Sequence, residues 1–105
     1  MSSPRRFDII RNGSATADRR PFLIVLQSDD LGSMETRVVA PLARIPPFRP
    51  IRILQPVIEI VGADHALVAN EMAAVPRKMP GPIVSSGRHC RYEILRAIDL
   101  IFTGV

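Results

Sequence analysis

Tryptophan is absent from this chain, cysteine occurs once (Cys90) and lysine once (Lys78). A lone cysteine excludes an internal disulfide and fits a reducing compartment, so a cytoplasmic location is expected. Aromatic residues make up only 5% of the chain, which leaves Ile, Val and Leu to build the core. No apolar run approaches the roughly 18 residues that a membrane span requires. Arg5-Arg6-Phe7 has the start of a twin-arginine signal, but Asp8, Arg11 and Asn12 stand where the apolar region of a leader would follow. The glycines are scattered and form no phosphate-binding loop. Two histidines and one cysteine lack any zinc-site spacing. Asp29-Asp30 with Glu35 reads as a turn rich in Asp before it reads as a cation site. His89 and Cys90 are sequence neighbours, which on a helix point about 100° apart and do not form a nucleophile–base pair. These residue types predict no enzyme, no metal and no cofactor.

What is present describes a single domain over residues 1–105, just large enough for one hydrophobic core. The formal charge is +4, carried almost wholly by arginine, with pairs or near-pairs at Arg5/Arg6, Arg19/Arg20 and Arg49/Arg52. Acidic residues are interspersed, so the basic surplus reads as a solvated surface and no direct nucleic-acid readout is expected. Short strands are predicted at Phe7–Arg11, Phe22–Leu26, Arg37–Leu42, Val57–Val61 and His65–Ala69. The second is apolar throughout, as suits a strand covered on both faces. Asn12-Gly13 predicts a hairpin-type turn and residues 12–20 a polar loop. Gly62-Ala63-Asp64 predicts a hairpin loop, and Pro41 places its end of the third strand at an edge or bulge. Residues 71–75 are compatible with helix or strand. Met79-Pro80-Gly81-Pro82 is a breaker.

Ser85 and Ser86 then offer an N-cap to a helix over about 87–102. At 100° per residue, Cys90, Ile94, Leu95, Ala97, Ile98, Ile101 and Phe102 share one arc of about 160°, with Arg91 as its one charged member. The opposite arc carries His89, Tyr92, Glu93, Arg96, Asp99 and one misplaced apolar residue, Leu100, a candidate for a homodimer interface. Phe102 lies at the edge of the core arc and is expected to pack partly inside. Thr103 lies diametrically opposite Ile94, and Gly104 suits a helix C-terminus, so Thr103-Gly104-Val105 is expected to be presented rather than buried. Strands followed by one amphipathic helix make a mainly β fold with a C-terminal helix, either a small barrel or a strongly bent sheet closed by the helix.

The segments FLIVLQSDDL (22–31), RVVAPLA (37–43), NEMAAVP (70–76) and AIDLIFTGV (97–105) closely resemble the CcdB family, bacterial toxins of toxin-antitoxin modules that poison DNA gyrase. The resemblance runs over about residues 7–105 and is weakest in the loops at 12–20, 44–53 and 77–87. It implies an SH3-like barrel of antiparallel strands with one long helix, a homodimer, and two partners: the gyrase A subunit and a cognate CcdA-like antitoxin. Carried over by position, the gyrase-facing residues are Asp30, Leu31, Asp99, Phe102, Thr103, Gly104 and Val105. Three of them depart from the family pattern: Thr103 replaces a Trp that stacks on a gyrase arginine, Asp99 replaces an Asn, and Asp30 replaces an Ile. Two other functions compete with gyrase poisoning. One is the same binding scaffold with lost or redirected gyrase activity. The other is an endoribonuclease on the same barrel, for which His65 and His89 are the available bases, although both read as surface histidines.

Overall fold

The computed structural model describes residues 3–78 and 81–104. Met79 and Pro80 of the expected breaker, and Val105 of the expected gyrase surface, lie outside these residues. Among the described residues there are seven strands: β1 (Asp8–Arg11), β2 (Phe22–Val25), β3 (Thr36–Arg44), β4 (Val57–Ile60), β5 (Ala63–Leu67), β6 (Ala73–Pro76) and β7 (Ile83–Ser86). The helix α1 (Arg91–Thr103) follows. All pairings are antiparallel. The sheet path is β4-β5-β3-β2-β1-β7, with β6 also on β3. The sheet curls into a half-barrel around one helix, the mainly β architecture expected.

The alternation of side chains explains two apolar layers. Ile9 pairs with Ile24 and Ile10 with Leu23, so successive residues face opposite sides of the sheet. Ile9, Ile24, Ala40, Leu42, Ile58 and Leu67 form the larger core with Ile94 and Ala97 of α1. Ile10, Leu23, Val25 and Val39 form a smaller cluster on the other face, with Val75 against it. The continuous apolar run of β2 is therefore needed by both faces.

Pro41 is not at an edge. It lies inside β3, paired with Leu23 of β2. Its carbonyl accepts the Val68 N–H at 2.9 Å, and in a strand the N and O of one residue point to the same side. The missing Pro donor thus faces the place where β3 exchanges partners, from β6 at residues 36–39 to β5 at residues 42–44. The register sets Pro41 opposite Val68, and the ladder bond that proline forgoes is the one to Val68 O, which accepts the Glu71 N–H at 2.9 Å instead.

Local chemistry also moved two turns. Asn12-Gly13 makes no tight hairpin, and neither residue has positive φ. Instead the buried Asn12 side chain donates to Arg20 O at 2.7 Å and Thr16 Oγ1 at 3.1 Å, closing the polar loop between β1 and β2. The two-residue hairpin is Val61-Gly62, one residue earlier than expected, with φ of 49° and 79°. Ala63 and Asp64 already pair with Ile60 and Glu59. Residues 71–75 resolve into the end of a 3-10 turn (Ala69–Glu71) and the start of β6.

β7 was not expected as a strand, and α1 starts at residue 91, not 87. Neither Ser85 nor Ser86 caps a helix: both lie in β7, Gly87 precedes a 3-10 turn (Arg88–Cys90), and Ser86 Oγ accepts the Arg88 N–H at 3.2 Å from outside it. Gly87 N–H donates to Phe7 O at 2.8 Å, and a Cβ there would sit 2.7 Å from Ile24 Cδ1. The chain is therefore held too tightly against β1 and β2 to wind into a helix before residue 91.

Two outcomes follow from these local devices. Val61 is 84% exposed in a conformation that β-branched residues resist. Val61→Asn should stabilise the protein by about 0.5–1 kcal/mol and raise Tm by a few degrees in thermal melts. Arg20 holds Glu71 through two bonds, Nε–Oε1 at 2.9 Å and Nη2–Oε2 at 3.1 Å. That hydrogen bonding lowers the Glu71 pKa against the opposing effect of burial. A depressed carboxylate contributes stability above its unfolded pKa of about 4.3 and loses it as pH falls through the folded value. The gap between wild type and Glu71→Gln, below about 1 kcal/mol for so exposed a pair, should be constant at neutral pH and close below about pH 4 in urea titrations.

Candidate partner-binding surface

The C-terminal turns of α1 separate into a buried and a presented part. Ile94 and Ala97 are fully buried, while Leu95, Ile98 and Ile101 are half-buried against the core. Phe102 is 72% exposed, against the expectation that it packs partly inside. Phe102 stands about 100° round the helix from Ile101, which still packs on the core, and at the edge of the arc that rotation turns its ring to solvent. Arg91 is likewise not a core residue: it is exposed, with its guanidinium 5.1 Å from the Tyr92 ring centroid.

The end of the helix is ordered by its own bonds. Thr103 Oγ1 donates to Asp99 O at 2.6 Å. Gly104 adopts the left-handed conformation (φ 70°) and its N–H donates to Leu100 O at 2.9 Å. These bonds satisfy carbonyls that a helix end would otherwise leave open. Thr103 and Gly104 are exposed, as expected. Asp99 is exposed too, and the last turn carries no basic residue. A carboxylate near the negative end of a helix dipole is unfavourable by about 0.3–1 kcal/mol, so this corner is set to receive a cation. Leu100 is half-buried, which leaves part of it available to a second surface.

Asp30 and Leu31 belong to a separate segment, the 3-10 turn Asp29–Leu31. Both are exposed, Leu31 at 48%. Ser28 Oγ accepts the Asp30 N–H at 3.2 Å, and Asp29 Oδ1 accepts the Arg6 N–H at 2.8 Å. Arg77 clamps the other side, donating to Leu31 O at 3.1 Å and Met34 O at 2.7 Å. The turn is thus fixed by side chains distant in sequence while Asp30 and Leu31 project outward.

The remaining candidates carry no catalytic arrangement. Burial, reinforced by Glu93, pushes the Cys90 thiol pKa up, the reverse of an activated thiolate. His89 is exposed beside it. His65 is not a surface histidine: it is buried, with Nδ1 2.9 Å from Ala63 O and its ring edge-on to Phe22 at 5.1 Å. Among the described residues no group of three or more His, Cys, Asp or Glu is placed to hold a metal ion, and no helix is long and apolar enough to cross a membrane. Arg37, unremarked in the sequence, is 4% exposed. Its one available signal was a charge inside a strand whose residues otherwise read as apolar.

Stability and presentation therefore part company within two turns of one helix. Ile94→Ala should cost about 2–5 kcal/mol, the range for a fully buried aliphatic residue. Phe102→Ala should change stability by less than about 0.5 kcal/mol. Parallel denaturant titrations of the two variants check both.

The family model described as CcdB protein matches residues 6–104. That span takes in the whole sheet, the turn at Asp29–Leu31 and α1, so the chain belongs to the CcdB family, the toxins of toxin-antitoxin modules.

Proposed function

We propose that this toxin binds the A subunit of DNA gyrase through the end of α1, poisons the enzyme on cleaved DNA, and is neutralised by a CcdA-like antitoxin. The toxin performs no chemistry; binding is its whole action. The observation that carries this reading is Phe102, a large apolar side chain 72% exposed at the tip of a helix whose terminus is bonded in place. An aromatic anchor on a rigid element supplies contact area at low entropic cost. Asp99 lends the same tip a negative charge suited to a gyrase arginine. With Thr103 in place of the family's Trp, attraction to that arginine passes from stacking to the carboxylate of Asp99, while Asp30 offers a second carboxylate on its own turn.

The chain acts as a homodimer on this reading. Ile53 and Val57 are exposed large apolar residues, and they line a shallow depression with Glu93 and Arg96 of α1. Leu100 stands one helical turn beyond Arg96 on that side of the helix.

A gyrase cleavage assay with purified chain tests the mechanism. Wild type should stabilise double-strand breaks, and Phe102→Ala should abolish them at unchanged Tm. Thr103→Trp should tighten gyrase binding by about 0.5–2 kcal/mol, the worth of a cation–π contact. Breaks equally abundant with Phe102→Ala would remove the helix tip from the mechanism. Absence of breaks with wild type, together with intact antitoxin binding, would favour the scaffold turned to another target, which the carboxylates at Asp30 and Asp99 make the second reading.

A further inference from the structure

On the face of the sheet away from α1, a cleft of about 430 Å³ opens between β3 and the N-terminal segment. Its charged lining is Arg5, Arg37, Arg77 and Asp29, three guanidiniums against one carboxylate. Arg37 is the unusual member. It extends from β3 at the position paired with Val75 and is 4% exposed. Its Nη1 donates to Pro4 O at 3.1 Å and its Nη2 to Ser3 Oγ at 3.0 Å, both neutral oxygens. Its Nε is buried with no partner among the described residues. Among the described residues no carboxylate pairs with it directly.

The neighbours do not supply the missing charge. Arg77 spends its Nε and Nη2 on the carbonyls of Met34 and Leu31, which leaves its positive charge in place. Asp29 is shared: Oδ1 accepts the Arg6 N–H, and Oδ2 lies 3.7 Å from Arg5 Nε. Burial and the Arg77 charge both press the Arg37 pKa downward, and Asp29 offsets them only in part. A buried guanidinium without a counterion is costly, and an unpaired buried donor adds to that cost. The fold bears both, next to a cavity wide enough for a small molecule.

We propose that this cleft is an oxyanion site for a doubly charged phosphate group, free or esterified, with Arg37 and Arg77 as its principal cations and the exposed Arg5 as a third. The formal balance of +2 in the lining matches the charge of a phosphate dianion. Arg77 Nη1 and the second hydrogens of Arg37 Nη1 and Nη2 remain as charge-assisted donors to phosphate oxygens, and a phosphate at Arg37 supplies the charge that Ser3 Oγ and Pro4 O lack. The cleft is larger than one phosphate, so Val25, Gln27 and Ser28 leave room for the rest of an ester. The site is separate from the helix tip and from the proposed dimer face.

Thermal melting of the full chain at constant ionic strength tests this, with inorganic phosphate, phenyl phosphate and chloride as the varied anions. Both phosphates should raise Tm saturably over chloride, by about 5–10 °C at about ten times the dissociation constant. Saturation at lower concentration with phenyl phosphate than with inorganic phosphate assigns the site to an ester; the reverse order assigns it to free phosphate. Arg77→Gln should shift the saturation midpoint upward by at least about tenfold, the effect of losing one charge-assisted bond. Asp29→Asn, which keeps the oxygen facing Arg6, should shift it downward. Phosphate no more stabilising than chloride would overturn the proposal. So would a non-saturating rise of equal size in Arg77→Gln, because phosphate stabilises compact states generally.

Discussion

β3 is the strand on which the other elements depend. Its nine residues pair with β2 along one side and with β6 and then β5 along the other. To serve both partners on that side, the chain must leave β5, cross through the 3-10 turn at Ala69–Glu71 and return as β6. Pro41 sits where that exchange happens, and its carbonyl receives Val68 at the start of the crossing. The reciprocal bond that proline cannot make leaves no acceptor open, because Val68 O takes the Glu71 N–H of the crossing turn. The alternation within β3 then sorts the two faces. Val38, Ala40 and Leu42 meet the core under α1, while Val39 meets the smaller cluster and Arg37 reaches the cleft. The core under α1 and the cationic cleft are therefore supplied by alternate residues of one strand, and a slip of a single residue would turn Arg37 into the core.

Strands with their own apolar pattern were legible from the amino acids alone. Phe22–Val25 and Val57–Ile60 lie within a residue of where apolar runs and turn residues place them. The helical arc found Ile94 and Ala97 because that periodicity is a property of the segment itself. The features that escaped are those decided by distant partners. Ile83–Ser86 becomes a strand through pairing with β1, and nothing within its four residues demands it. Asn12-Gly13 favours a tight turn locally, but a buried side chain that can bond Arg20 O and Thr16 Oγ1 outweighs that preference. His65 is buried because its ring lies edge-on to Phe22 and its Nδ1 meets a carbonyl. A polar residue's satisfied interior position leaves no mark in sequence.

Phe102 and Arg37 are the two most instructive departures, and they run in opposite directions. A wheel places Phe102 at the edge of the core arc, and only the packing around α1 shows that the core ends at its neighbour Ile101. Hydropathy places Arg37 outside, and only the cover provided by Ser3 and Pro4 shows it within. An apolar group left in water and a charge left without a counterion both stand at positions where local preference and tertiary structure disagree. Such conflicts concentrate at functional sites, because a sequence selected for folding alone would remove them. The likelihood that both arise by accident is lowered by how firmly each is held. Phe102 rides on a helix end bonded from Thr103 to Asp99 and closed by Gly104, and Arg37 is anchored at both ends of its guanidinium.

Rigidity at the helix tip matters for what a partner must do. A flexible tail would have to be ordered on contact, at about 1–2 kcal/mol per residue of backbone. Here the chain is helical through Thr103 and turns at Gly104 by a defined bond, so that cost has already been met in folding. Because Phe102 contributes little to the core, its side chain is free to be optimised for a partner without endangering the sheet. The same separation holds at residues 99 and 103, both exposed. Departures from the family pattern at those two positions leave the core untouched and change the tip, from a stacking face to a carboxylate at the negative end of a helix and a Thr103 hydroxyl bonded to Asp99 O. A cationic patch on a partner protein suits such a tip, whatever its contour. The scaffold sets where recognition happens; those few exposed residues set what is recognised.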